Sequence, residues 1–250
     1  MTTMLWRPLP VTALTIRQFS GGRAIRVVAL LCMLLVLFAG IHVINNGDVE
    51  SIEFVHDVIL EGVLFPALLP ITVLILATGA LGNEVEDRTL PYLTLKPLSR
   101  LRIVVEKWLG CLFVGIPVIC GILAISLVVA LRGETSDHAR TIWAAVAATA
   151  IGIAAYSSIF ILISLIIQRA LLFGMIYTFV LESTLGRFLT GFRVVSIRHY
   201  VESIYERIQN DPMRIADNAT GLSDAIVVLA VTTGVSLLLA AWRLRRMSLD

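Results

Sequence analysis

Long stretches without any charged residue recur along the chain. Five such windows run for 18 to 28 residues, and a sixth, 170–186, is interrupted only by Glu182. An α-helix rises about 1.5 Å per residue, so roughly 20 residues cross about 30 Å of hydrocarbon. The pattern therefore predicts an all-α integral membrane protein with six transmembrane helices. The predicted spans cover about 26–46, 60–82, 105–131, 141–168, 170–188 and 223–243.

The spans are predicted to be helices because lipid offers no partner for peptide N–H and C=O groups. The runs also lack the alternation of apolar and polar residues that marks a barrel strand. Pro66 and Pro70 lie in the second span and Pro117 in the third. Neighbouring helices in a bundle can accommodate such prolines, so we expect kinks and no breaks.

Two further segments have helical periodicity outside the spans. Residues 5–20 predict an N-terminal helix in the membrane interface, with an apolar face formed by Trp6, Leu9, Ala13 and Ile16. A frayed polar tail is the alternative, because Pro8 and Pro10 delay a helix start. Residues 199–208 predict a short amphipathic helix on the outer leaflet, with an apolar face formed by Val201, Ile204, Tyr205 and Ile208.

The composition agrees with a membrane protein. Hydrophobic residues make up 58% of the chain and charged residues 15%, where a soluble domain carries roughly 25% charge. The net charge of +2 gives no reason to expect a nucleic-acid partner. We find no repeat or linker in the sequence and expect a single domain over 1–250.

The distribution of Lys and Arg predicts the orientation. If the amino terminus is cytoplasmic, 13 of the 20 Lys and Arg residues flank the inner ends of the spans. The segment between spans one and two contains five carboxylates and no Lys or Arg, as expected outside. We therefore expect a multi-pass protein of the cell (inner) membrane with both termini in the cytoplasm.

Motifs for catalysis are missing from the sequence. It contains no nucleophile elbow, H-E-x-x-H, C-x-x-C or phosphate-binding loop. His42 and His56 are the candidates for a metal site. Two separate imidazoles at the ends of membrane spans are more often interfacial residues, so we predict no metal site. Cys32, Cys111 and Cys120 lie in apolar runs and are expected to be buried thiols.

Glu182 is the carboxylate that interrupts the sixth apolar stretch, 170–186. It could face a cavity and contact a cationic substrate or a proton. Alternatively it marks the point where the helix leaves the bilayer, because Arg187 follows and the chain then becomes polar. The second interpretation is favoured, and the first makes Glu182 a possible pathway residue.

The segment between spans two and three, 84–100, carries the most specific pattern. Thr89 follows acidic residues and can cap a helix, while Pro91 falls in its first turn, where the missing N–H is harmless. Leu90, Tyr92 and Leu93 then give a short apolar face. The segment is predicted to be a charged cytoplasmic helix that could dock into a groove of a soluble partner, or else a solvated connection.

This segment resembles the permease subunits of ATP-binding-cassette (ABC) transporters of the type 2 exporter class. Their pattern is E-x-E-x-G-T-L-x-x-L-x-x-x-P-[LIV]-S-R followed by K-x-x-G. This chain matches it at Glu84, Glu86, Thr89, Leu90, Leu93, Pro97, Leu98, Ser99, Arg100, Lys107 and Gly110. It departs at Arg88, where glycine is common, which affects the geometry at the start of the helix.

The resemblance implies an ATP-driven exporter in which two permease chains, identical or different, form the substrate pathway. Each would contact a cytoplasmic ABC ATPase subunit through this coupling helix. The ATPase would hold ATP and Mg²⁺ and hydrolyse the nucleotide, so no cofactor is expected on this chain and the chain itself is not expected to be an enzyme. The expected docking residues are Glu84, Glu86, Asp87, Arg88, Thr89, Leu90, Tyr92 and Leu93.

Other classes remain open beside this one. An ATP-independent secondary carrier or channel would show charged residues or broken helices near the middle of the membrane. In this sequence only Glu182 and the prolines of span two are such features. A membrane-embedded enzyme would need clustered acid, base or nucleophile residues. The sequence does not identify the transported substrate.

Overall fold

The computed structural model describes residues 10–45, 50–82, 99–132, 135–167, 169–178, 196–210 and 219–246. Within these ranges every regular element is a helix. In chain order these are α1 (Pro10–Ser20), α2 (Arg23–Ile44), α3 (Ser51–Gly82), α4 (Arg100–Ala130), α5 (Ala139–Ile166), α6 (Ala170–Ile176), α7 (Ile197–Gln209) and α8 (Leu222–Arg246).

Five of these helices are long and apolar enough to cross a membrane: α2, α3, α4, α5 and α8. They correspond to five of the six predicted spans, so the prediction of an all-α membrane protein is confirmed for the described residues. Of the sixth predicted span, 170–188, the structure describes α6 and the next two residues. Glu182 lies outside the described residues.

The start of α3 differs most from the prediction, which placed it near residue 60. The helix begins at Ser51, because its early turns bury Val55, His56 and Ile59 and leave the carboxylates of Asp57 and Glu61 exposed on another face. An amphipathic extension of this kind continues a helix beyond its uncharged stretch. The apolar window alone could not show it.

The prolines do not interrupt α3 or α4. Pro66 lies in a π-helical stretch, Val55–Leu68, and Pro117 lies in another, Ile116–Cys120. A proline lacks the N–H that would bond the carbonyl four residues earlier, and π-helical turns shift the pairing by one residue. The helices therefore continue through these positions, as expected.

Helix α5 forms the centre of the bundle and packs against α3, α4, α7 and α8. Small residues allow this close packing. A Cβ atom at Gly152 would lie 2.9 Å from Leu69 Cδ2 of α3 and 3.2 Å from Val201 Cγ2 of α7. Glycine is therefore required here by the approach of two neighbouring helices.

Several buried hydroxyl groups bond to the backbone of their own helices. Thr72 Oγ1 donates to Leu68 O at 2.7 Å, and Ser164 Oγ donates to Phe160 O at 2.7 Å. Thr78, Ser126 and Ser158 follow the same pattern. These side chains satisfy their own hydrogen-bonding groups and leave contact between the helices to apolar packing.

Helix α7 covers the predicted amphipathic segment 199–208, and its place on the outer leaflet stays a prediction. Val201 contacts Gly152, which is near the middle of α5, while Arg140 at the beginning of α5 donates through Nε to Ile208 O at 2.8 Å. Thus α7 lies lengthwise along half of α5. Its strongly apolar face, which includes Val201, Ile204 and Tyr205, is buried against other helices.

A buried polar cluster fastens α7 to α3 at the end of the bundle called here the His56 end. The His56 ring is 1% exposed and lies with its Nδ1 atom 2.5 Å from Tyr205 Oη. Gln209 Nε2 is 2.8 Å from His56 Nε2. The Tyr205 ring also packs against Phe65, with 5.8 Å between centroids. Both nitrogens of the buried imidazole are therefore satisfied by α7.

We expect Tyr205→Phe to lower the free energy of unfolding by about 1–3 kcal/mol, because it keeps the ring packing but removes a hydrogen-bond partner of a buried imidazole. Thermal unfolding of the purified protein in lipid nanodiscs measures this loss. In a double-mutant cycle with His56→Ala the two losses should be less than additive. Additive losses would show that the two side chains act independently.

Candidate functional site

The predicted docking residues lie outside the described part of the chain, which has a gap at 83–98. This applies to Glu84, Glu86, Asp87, Arg88, Thr89, Leu90, Tyr92 and Leu93. The structure does describe both flanks of the segment, Gly82 at the end of α3 and Ser99 before α4. The end of the bundle that contains them is called the Ser99 end.

Ser99 begins α4 as its N-cap. Its backbone is extended, with φ −65° and ψ 143°, and its Oγ accepts a hydrogen bond from Arg102 N at 3.3 Å. Such a cap satisfies one of the backbone N–H groups that have no partner within the first turn. Ser99 therefore marks the point at which the regular helix α4 begins.

Lys107 connects α4 to the end of α3. Its side chain is 2% exposed, and its Nζ donates to Ala80 O at 2.8 Å. Ala80 is two residues before Gly82, the last residue of α3. A buried ammonium group needs such a partner because its desolvation is costly. Lys107 belongs to α4, which begins directly after the docking segment. Its bond to Ala80 therefore connects α4 to the end of α3, which precedes the segment.

Glu106, the residue before Lys107, connects α4 to α1. Its carboxylate is buried and accepts hydrogen bonds from Val11 N at 2.7 Å and Thr12 N at 3.3 Å, both to Oε2. Its Oε1 accepts from Arg102 Nε at 2.7 Å. The first N–H groups of a helix lack internal partners and carry partial positive charge, which favours a carboxylate. Glu106 therefore caps α1 from a distant position in the sequence.

A second bond joins the same pair of helices, from Thr12 Oγ1 to Glu106 O at 3.0 Å. One turn further along α4, Gly110 faces Thr15 of α1. A Cβ at Gly110 would lie 2.7 Å from Thr15 Cγ2, closer than side chains approach. Helix α1 therefore packs directly on the backbone of α4 at this position.

The other side of α1 contacts the end of α3. The Phe19 ring is buried and would be 3.3 Å from a Cβ at Gly79, and Gln18 Nε2 donates to Gly79 O at 3.3 Å. Ala13 and Ile16, from the predicted apolar face of this helix, are exposed in the isolated chain. Trp6 and Leu9 lie outside the described residues.

We call this meeting point of three helices the junction. It consists of Glu106, Lys107 and Gly110 of α4, Thr12 of α1 and Ala80 of α3. The quoted sequence pattern includes Lys107 and Gly110 but assigned no contact to them. Sequence reasoning missed Glu106, whose available signal was a carboxylate just inside a predicted span and next to a lysine.

The histidines and cysteines have packing partners. The His42 ring stacks on Phe54 with 4.0 Å between centroids, and His56 belongs to the cluster with Tyr205. Across the described ranges no group of three His, Cys, Asp or Glu side chains could hold a metal ion. The three cysteines are buried and free, as expected.

Charged side chains of α7 form a second cluster, toward the His56 end. Arg198 Nε lies 2.5 Å from Glu202 Oε1. Burial raises the pKa of the Glu202 carboxyl above its usual value; the charge and hydrogen bond of Arg198 oppose this, and the charges of Glu61 and Glu206 add to it. The loss of solvation therefore outweighs the ion pair at Glu202.

Comparison with known families gives one match. The family described as ABC-2 family transporter protein matches residues 23–184. This region begins with α2, includes the docking segment and the junction residues of α3 and α4, and ends in the predicted sixth span. No curated protein matches the chain.

We expect Gly110→Ala to displace α1, because the added methyl group overlaps Thr15; the cost should be about 1–3 kcal/mol of stability. Gly121→Ala on the same helix is the matched control, since a Cβ there meets no atom within 4 Å. Thermal unfolding and limited proteolysis near α1 measure the effect. Equal behaviour of the two variants would contradict the close contact.

We expect Glu202 to make stability depend on pH. Because its pKa is raised in the folded protein, its stabilising contribution is complete below the usual value of 4.5 and is lost as pH rises through the raised value. The melting temperature of the wild type should fall over that window, and Glu202→Gln should reduce this fall. Glu53→Gln, at an exposed carboxylate of α3, is the control. Identical pH profiles of wild type and Glu202→Gln would contradict the prediction.

Proposed function

Since this chain belongs to the ABC-2 family of transporter proteins, and so is a membrane permease of an ABC transporter, we propose that it works as an ATP-driven exporter. Two permease chains would pair and form the substrate pathway between them. Each would bind a separate cytoplasmic ATPase subunit through residues 84–100. Both termini would face the cytoplasm of a cell whose inner membrane holds the protein.

The observation that best supports this proposal is the construction of the Ser99 end. The two flanks of 84–100 are held by a bond from Lys107 to Ala80 and by the Ser99 cap. Helix ends fixed in this way would pass a movement of the segment on to α3 and α4, whereas a loose connection would absorb it. This arrangement suits a permease whose partner moves during its ATP cycle.

The docking segment contains both kinds of side chain that protein interfaces use. Leu90, Tyr92 and Leu93 would supply the buried apolar anchor in a groove of the ATPase. The charged residues would make contacts that orient the complex; these are Glu84, Glu86, Asp87 and Arg88. Thr89 would cap the helix that presents them.

The ATPase would bind and hydrolyse ATP with Mg²⁺, and this chain would convert its closure into a change between inward-facing and outward-facing states. The two conformations must then differ in their affinity for the ATPase in its ATP-bound form. If Glu182 lines the substrate pathway, it would contact a cationic substrate or a proton during the change between these two states.

We expect the double variant Leu90→Asp, Leu93→Asp to lose the ATPase that co-purifies with the wild type, because it places two carboxylates in an apolar interface. Association should weaken at least tenfold, about 1.4 kcal/mol or more. Thr94→Asp is the control, since it adds a carboxylate to the same segment without removing an anchor.

The measurements are recovery of the ATPase on affinity-tagged chain, its ATP turnover and transport into vesicles. Unchanged assembly and transport in the double variant would refute docking through this segment. Transport by the purified chain without any ATPase would instead indicate a secondary carrier or channel.

A further inference from the structure

We propose that Glu106 and Lys107 are positioning residues that brace α1, the end of α3 and the start of α4 into one rigid unit, so that a displacement of the docking segment reaches three helices together. This inference rests on the proposed function and assigns to it a specific mechanical link. It concerns transmission of movement and not the binding of the ATPase.

The first step of the argument is the direction of the two side chains. They are consecutive on α4, where neighbouring residues point about 100° apart around the helix axis. Glu106 therefore reaches α1 and Lys107 reaches α3. One turn of α4 thus holds two helices that lie on different sides of it.

The second step is the strength of these connections. Both side chains are almost fully buried, and both bonds join a charged group to backbone atoms. Charge-assisted hydrogen bonds are stronger than neutral ones, and a buried charge that loses its partner is unfavourable. The helices therefore cannot separate at the junction without exposing or stranding a charge.

The third step is where the brace lies in the chain. The docking segment leaves α3 at Gly82 and joins α4 at Ser99, and Lys107 closes this loop by bonding to Ala80. Without that bond the two helix ends could separate when the segment is pulled. With it, the two helix ends that flank the segment are connected to each other.

The brace also extends to α2. Helix α1 is separated from α2 by Gly21 and Gly22, and Gly22 N donates to Phe19 O at 2.9 Å. A Cβ at Gly22 would lie 2.8 Å from Gln18 O, so the chain makes a tight turn here. Movement of α1 is therefore passed directly to α2, the first predicted span.

The test uses the complete complex of permease and ATPase in lipid vesicles, with Glu106→Gln and Lys107→Met. We expect both variants to recover as much ATPase as the wild type and to hydrolyse ATP, while the substrate transported per ATP falls about tenfold. Arg26→Gln, which removes an exposed charge near the start of α2, is the control and should keep the wild-type ratio. Glu106→Asp and Lys107→Arg should restore part of it.

An unchanged ratio in Glu106→Gln and Lys107→Met would overturn the brace. Loss of ATPase binding in these variants would also overturn it, because the residues would then act in docking. Failure of the docking proposal itself is seen separately, when Leu90→Asp, Leu93→Asp retains the ATPase.

A distance measurement tests the brace without altering it, should the variants not fold. Leu14 of α1 and Leu101 of α4 are exposed and can carry spin labels through cysteine substitution, since the native cysteines are buried. We expect the distance distribution between the labels to be the same in the nucleotide-free and the ATP-bound complex. A shift of its mean between the two states would overturn the proposal.

Discussion

The structure depends on one constraint, that hydrocarbon offers no hydrogen bonds to a protein that crosses it. Peptide groups within the long helices pair with each other, and buried hydroxyl groups bond to carbonyls of their own helix, as Thr72 and Ser164 do. Because these groups are satisfied locally, α5 can approach its neighbours as closely as its small side chains allow. The buried charges that connect helices, by contrast, lie near the Ser99 end.

The two ends use polar contacts differently. At the Ser99 end, buried charges of α4 bond to backbone atoms of α1 and α3, and a charged side chain can hold a helix there because the first or last turns have unpaired backbone groups. At the His56 end, a cluster of imidazole, phenol and amide connects α7 to α3, and the exposed Arg140 bonds α5 to the last turn of α7. The proposed docking surface adjoins the end at which buried charges hold the helices together.

The length and composition of the apolar stretches predict the spans correctly for α2, α4, α5 and α8, because a membrane span must be apolar for about 20 residues. The same rule misplaces the start of α3, where only one face is buried and charged residues occupy the other. The periodicity of Val201, Ile204 and Tyr205 correctly predicts a helix with one apolar face. Periodicity does not show that other helices of the bundle bury this face.

At the candidate site, the sequence pattern of 84–100 identifies the docking segment but does not show which contacts fix the helices on either side of it. Lys107 and Gly110 follow it at a fixed spacing, so a motif can contain them without showing that one bonds to α3 and the other faces α1. The contact of Glu106 with α1 could not be predicted, because its partners there are backbone N–H groups far away in the sequence, and backbone groups leave no trace in residue identity. Contacts of this kind become visible only when the fold is known.

The contact of Val201 with Gly152 has a consequence for how the bundle can open. At that level α5 has no side chain, so the valine methyl groups occupy the space that one would fill. If α7 moved away from α5 by itself, the atoms around Gly152 would lose the van der Waals contacts that the valine methyl groups supply. The motion of lowest energy therefore moves α7 and α5 together as one rigid body.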